Sequence, residues 1–149
     1  MTSTDTFHLF GNILRLRSSS QTNDGKLSIV ECRTKPGAGA PPNRHAADDE
    51  CFYVTSGTYE FVIDGTSEVH GPGALVKVPN GRPHHFTNVG KDDANMLIIT
   101  WPGIGHDAFF RSVGEPLPNG SKTFPEPKGP PDVPAIKAIA QNCGIELLI

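Results

Sequence analysis

The chain has 149 residues, with 13 Lys and Arg against 16 Asp and Glu, for a formal net charge of -3. That length fits one domain able to bury a core without disulfide staples, and the charge leaves no basic footprint for nucleic acid. Charged residues make up 19% of the chain while Gly (16) and Pro (14) are frequent, which disfavours a helical bundle and favours a turn-rich, all-β domain.

The first predicted strand is "NILRLRS" (12–18), followed by the polar turn-forming loop "SSSQTNDG". "KLSIVEC" (26–32) reads as a strand from its alternation and β-branched content. "RTKPGAGAPPN" (33–43) holds Pro36, Pro41, Pro42, Gly37 and Gly39, so it is neither helix nor central strand. Residues 50–71 read as strand, turn, strand, turn, strand, with Asp64-Gly65 as a two-residue hairpin signal. A strand from Ala74 to Val78 precedes the turn "PNG", a short strand runs through Phe86, and "ANMLIITW" (94–101) is another. About eight short strands with turns between them describe a sandwich, jelly roll or barrel. After Gly114 the composition becomes proline-rich, which divides a barrel (1–114) from a C-terminal extension (115–149). Asp132 is placed to cap a terminal helix, with Pro134 in its first turn, Ile136, Ile139 and Ala140 on one face, and Gly144 at its end. The closing "IELLI" needs burial.

Cys32, Cys51 and Cys143 are odd in number and form no CxxC pair, so they read as reduced thiols of an intracellular protein. The opening "MTSTDTFHLFGN" lacks the basic and apolar regions of a signal peptide. No apolar stretch is long enough to span a bilayer. A cytoplasmic protein without membrane or nucleic-acid partners is the expectation.

The chemistry concentrates in "PPNRHAADDECFYVTSG" (41–57) and around His84. Two histidines and one carboxylate, here His45, His84 and Glu50, suit a divalent transition metal and leave coordination positions open. Each residue alone has a plainer reading: His45 as a loop histidine, and Glu50 as a solvated acid in the run with Asp48 and Asp49. Asp48 and Asp49 are read as solvated. His84 and His85 are adjacent in a strand, so only one faces inward. His8, His70 and His106 have no evident partners and are read as structural.

The spacing resembles the two-part signature of the cupins. The first part runs Gly37, "AGAPP", "NRH", "AADD", Glu50, "CFYVTS", Gly57. The second runs Gly73, "ALVKV", "PNG", "RP", His84, "HFT", Asn88. Every spacing is met, and the departure is Asn43, which stands where the family has its first histidine. A shifted register starting at Gly39 makes His45 the first histidine and leaves Ala47 at the second. The resemblance, most similar to quercetin dioxygenase-like cupins, implies a double-stranded β-helix or jelly-roll barrel. It also implies His45, Glu50 and His84 as ligands, with Asn43 as a weaker fourth, for iron, manganese, nickel, cobalt or zinc. The same Asn43 opens a metal-free alternative in which these residues are acid/base groups. Asn88 is expected to fix a loop.

By strand parity Phe52 and Val54 face inward with Glu50, and Phe86 with His84, lining a pocket for an apolar or aromatic small molecule. Either Met96, Ile98 and Thr100 or Leu97, Ile99 and Trp101 line the opposite wall. Three functions follow: a metal-dependent dioxygenase-like enzyme, a metal-independent isomerase, cyclase or lyase, and a non-catalytic binding module. The resemblance also implies a homodimer, with the N-terminal strand or "IELLI" at the contact.

Overall fold

A computed structural model describes residues 3–149. Among these, the elements in chain order are β1 (Thr6–Leu9), β2 (Asn12–Ser18), β3 (Ser28–Thr34), β4 (Asn43–Arg44), β5 (Asp49–Ser56), β6 (Tyr59–Ile63), β7 (Thr66–His70), β8 (Leu75–Val78), β9 (His84–Asn88), β10 (Ala94–Trp101), α1 (Ile104–Val113), β11 (Glu115–Leu117), α2 (Val133–Asn142) and β12 (Glu146–Leu147). The strands form two antiparallel sheets, ordered β11-β1-β2-β3-β10-β5-β8 and β12-β4-β9-β6-β7. This is a two-sheet jelly roll, as the strand pattern predicts.

Period-two alternation explains the core. Along β10, Ala94, Met96, Ile98 and Thr100 are buried while the residues between them are half-buried. That decides the wall left open by the sequence: the even-numbered set faces in. Phe52, Val54, Tyr59, Phe61 and Phe86 meet it from β5, β6 and β9. Phe52 and Phe61 stack with centroids 5.2 Å apart, and Phe52 and Phe86 meet edge-on at 5.7 Å. Each buried aromatic of this kind contributes about 2 to 3 kcal/mol through removal from water.

The eight strands expected all form, and four short ones join them: β1, β4, β11 and β12. The two-residue strands β4 and β12 carry too few residues for periodicity to reveal them. The C-terminal segment closes onto the barrel. β11 pairs with β1, with Thr6 opposite Leu117, and β12 pairs with β4, with Leu147 opposite Asn43. The N-terminal strand is therefore covered by β11 and offers no edge. In "IELLI", Ile145 and Leu147 are buried and Leu148 and Ile149 are exposed. The terminal helix forms where expected: Asp132 accepts from the Ala135 amide at 3.1 Å, Pro134 lies in the first turn, and Ala140 is buried. α1, between Trp101 and Gly114, is not among the elements the sequence predicts, and it is central to the site.

Candidate functional site

His45 follows β4, Glu50 lies near the start of β5, and His84 begins β9. The strands bring all three to one end of the barrel interior. Each is nearly inaccessible: His45 6%, Glu50 5%, His84 4%. Glu50 Oε1 lies 3.1 Å from His45 Nε2 and 2.9 Å from His84 Nε2. His85 turns to the other face, half-buried, as strand parity requires.

A third imidazole completes the cluster, and its source corrects the sequence reading. His106, read there as structural, projects from the first turn of α1 and places Nε2 3.7 Å from Glu50 Oε2. Its ring stands edge-on to His45, 4.5 Å between centroids, while His45 and His84 are 5.0 Å apart and also perpendicular. Ligand atoms of His45, Glu50 and His106 all lie within 4.8 Å of one another. The signal available was a helical stripe, since His106, Phe109, Phe110 and Val113 recur at i, i+3, i+4 and i+7 after a Pro-Gly break. The resemblance to the cupins ends at Trp101 and does not reach His106.

Asp48 also departs from its expected role as a solvated acid. It is 4% exposed, and its carboxylate accepts from the Gly103 amide at 2.9 Å, the His106 amide at 3.2 Å and His106 Nδ1 at 2.7 Å. It therefore pairs buried amides that the N-terminus of α1 leaves without helical partners, and it orients the imidazole in one contact set. Gly103 permits this approach. Its φ is +82, and a Cβ there would stand 2.5 Å from Ser28 Cβ. The next residue, Asp107, is fully buried and accepts from Ser19 Oγ (2.9 Å), Ser20 N (2.7 Å), Ser20 Oγ (2.8 Å) and Ser28 Oγ (2.6 Å). Two buried carboxylates thus fix adjacent residues of α1. Asp49 remains half-buried and accepts from Asn80.

The Nδ1 partners decide the tautomers. His45 Nδ1 donates to the Asp48 carbonyl, His84 Nδ1 to the Arg82 carbonyl, both at 2.9 Å, and His106 Nδ1 to the Asp48 carboxylate. A neutral imidazole with Nδ1–H keeps its lone pair on Nε2. Three such lone pairs face the Glu50 carboxylate, an arrangement that needs protons or a cation between them. A divalent ion suits this chemistry: His45, Glu50 and His106 bring two imidazole nitrogens and a carboxylate within 4.8 Å of one another, and His84 joins them only through Glu50, 2.9 Å away. Without an ion the protons must serve. Burial opposes charge on His45, but the hydrogen bond and charge of Glu50 outweigh it and raise its pKa. Burial likewise opposes ionisation of Glu50, but hydrogen bonds from His45 and His84, with the charges of His106 and His84, hold it well below the usual carboxylate range.

Asn43 stands opposite His84 in the strand register, with its amide nitrogen turned to backbone: Nδ2 donates to Pro41 O at 3.0 Å. Above the cluster lies a narrow cavity of about 70 Å³, whose walls include Phe52, Phe86, Ile98, Phe109, Phe110 and Asn43. Val54, expected in this lining, is fully buried deeper in the core and does not reach the cavity. Asn88 is buried, donating to Thr34 O and Asp92 O and accepting from Gly90 N, so it ties the loop after β9. His8 and His70 lie apart, beside Glu115 and Glu68.

Residues 30–100 match the family model for the cupin domain. No curated protein matches the sequence. Among solved structures, the polyketide cyclase RemF from Streptomyces resistomycificus is 19% identical, with a TM-score of 0.56 over 85% of this chain and 79% of that one. A predicted oxalate decarboxylase from Thermotoga maritima is 19% identical, with a TM-score of 0.58 over 60% and 79%. The cupin domain of Schizosaccharomyces pombe Cnp3 is 14% identical, with a TM-score of 0.58 over 66% and 69%. At these identities the likeness concerns the fold. No helix among the described residues is long and apolar enough to cross a membrane. Over residues 30–100 the chain is similar to the cupin domain, and its two-sheet fold is the one these structures share.

Proposed function

We propose that the protein is a metal-dependent enzyme that oxidises a small, largely apolar molecule with dioxygen, as quercetin dioxygenase-like cupins do. One observation carries the reading: three imidazole Nε2 atoms, each with its Nδ1 held, converge on one buried carboxylate at the floor of a phenylalanine-lined cavity. His45, His106 and Glu50, with His84 beside Glu50, would hold the ion, a small ligand set that would leave coordination positions for substrate. Bound iron, manganese, nickel or cobalt supplies Lewis acidity and, where redox-active, an electron couple for reaction with dioxygen. The protein's share is positioning. Phe52, Phe86, Phe109 and Phe110 seat an apolar ring and exclude water, which strengthens electrostatics at the floor. Asp48 keeps a proton on His106 Nδ1 and so keeps Nε2 free.

A second reading rests on the ion-free state. His45, whose affinity for a proton is raised by Glu50, is a proton donor next to a carboxylate beside an apolar cavity, which suits isomerase, cyclase or lyase chemistry. The test is to strip the protein with chelator, restore iron, manganese, nickel or cobalt singly, and follow oxygen uptake with flavonols and catechols. Uptake with one metal, abolished in Glu50→Gln, is expected. Full turnover after chelation selects the acid/base reading, and saturable binding without product selects a non-catalytic one. A homodimer is also proposed, built on the open edges β8 or β12, where Leu75, Leu148 and Ile149 are exposed. A monomer by light scattering at micromolar concentration rejects it.

A further inference from the structure

The cavity is lined mainly by carbon, so each polar atom in its wall has to be accounted for. Glu50, His84 and His106 belong to the cluster. Two asparagines remain, and they differ. Asn12 is fully engaged: its Nδ2 donates to Leu9 O at 3.1 Å and Gly39 O at 2.9 Å, and its Oδ1 accepts from Thr34 Oγ1 at 2.7 Å. Asn43 is engaged on one side. Its Nδ2 donates to Pro41 O at 3.0 Å and, more weakly, to His84 O at 3.4 Å. Turning the amide over would set its oxygen against two carbonyl oxygens, so the orientation is fixed by its partners. Oδ1 then meets no donor among the described residues, while the side chain lines the cavity and is half-buried.

We propose that Asn43 Oδ1 accepts a hydrogen bond from a hydroxyl of the bound substrate, making residue 43 a specificity determinant instead of a metal ligand. His45, His106 and Glu50 already supply a two-histidine, one-carboxylate donor set without it, with His84 beside Glu50. Asn43 sits directly across the β4–β9 ladder from His84, where opposed residues are about 5 Å apart. A molecule with one oxygen at the cluster would therefore bring a neighbouring hydroxyl to Oδ1. This rests on the metal-dependent reading above and narrows its substrate to a small aromatic or enolic compound with oxygens on adjacent carbons, one still protonated. An apolar ring packs among the phenylalanines, and the paired oxygens face the cluster and Asn43. The amide's own tether to the backbone means no side-chain ordering is needed on binding.

The experiment uses the zinc-loaded full chain and two probes, catechol and phenol, titrated by calorimetry against wild type, Asn43→Ala and Asn43→Ser. Catechol is expected to bind wild type more tightly than phenol. Asn43→Ala should shrink that preference by about threefold to tenfold, the value of one neutral hydrogen bond, leaving phenol affinity and zinc content unchanged. Asn43→Ser, which keeps a short acceptor oxygen, should recover part of it. An unchanged preference in Asn43→Ala overturns the proposal, as does loss of zinc from that variant or failure of wild type to bind either probe. If wild type takes up no zinc, the metal-dependent reading fails separately. The same titrations on metal-free protein then decide the role of Asn43 by the same criterion.

Discussion

Replacing Asp48 by Asn changes no side-chain volume yet removes the charge that orients His106. In the wild type the carboxylate accepts three hydrogen bonds, from Gly103 N, His106 N and His106 Nδ1, and the residue is 4% exposed. An amide has one acceptor oxygen, so its NH2 must face at least one of these donors. Losing one or two hydrogen bonds to a buried charged group costs about 1.5 to 3 kcal/mol each, so a loss of about 1.5 to 6 kcal/mol of stability is expected. His45 is held by the Asp48 main-chain carbonyl, which the substitution leaves in place. The damage to the site should therefore be confined to one ligand. Loss of such an outer partner typically lowers metal affinity by about 10- to 100-fold. Competition with a chelator of known affinity measures the second effect, and urea denaturation of the metal-free protein measures the first. Zinc affinity within about threefold of wild type, alongside the stability loss, would refute the claim that Asp48 acts through a ligand histidine.

Asp107→Ala leaves four buried donors facing a void and should cost about 3 kcal/mol or more in denaturation; a loss below 1 kcal/mol would contradict the anchoring role. Phe109→Ala should cost about 3 to 5 kcal/mol and widen the cavity, so bulkier aromatic probes should bind more tightly than to wild type. The pH response should reverse with metal loading. In the metal-free protein Glu50, whose pKa is lowered, stabilises above its ordinary value of 4.5 and loses this as pH falls through its lowered value. His45, whose pKa is raised, stabilises below 6.5 and loses this as pH rises through its raised value. The shared ion pair is thus fully present between these ordinary values, and the metal-free melting temperature should fall from pH 6 to 8. The loaded protein, whose Nε2 atoms must be deprotonated, should gain stability over the same interval. Parallel pH curves for the two forms would contradict the assignment.

The fold was legible because its strands alternate cleanly and its turns carry Asp-Gly, Pro-Asn-Gly and similar pairs. The meeting of His45, Glu50 and His84 was legible from motif spacing. What stayed hidden were contacts without a local pattern. Strands of two residues have no period, and β4 and β12 recognise each other across about a hundred residues. His106 reaches the site through a helix docked by Asp48 and Asp107, two acids whose burial no charge run discloses. A triplet such as "DDE" looks solvated until the partner amides at Gly103 and His106 are placed beside it. Asn43 was found at the right position, but its amide is turned to backbone by neighbours that only the folded ladder supplies.

Equilibrium dialysis with elemental analysis of wild type, His106→Ala and Asn43→Ala tests the metal centre most directly. The expected result is about one divalent ion per chain in wild type and Asn43→Ala, with affinity reduced at least about tenfold in His106→Ala. Wild-type affinity in His106→Ala, together with loss of the ion in Asn43→Ala, would show that residue 43 and not the helix completes the site.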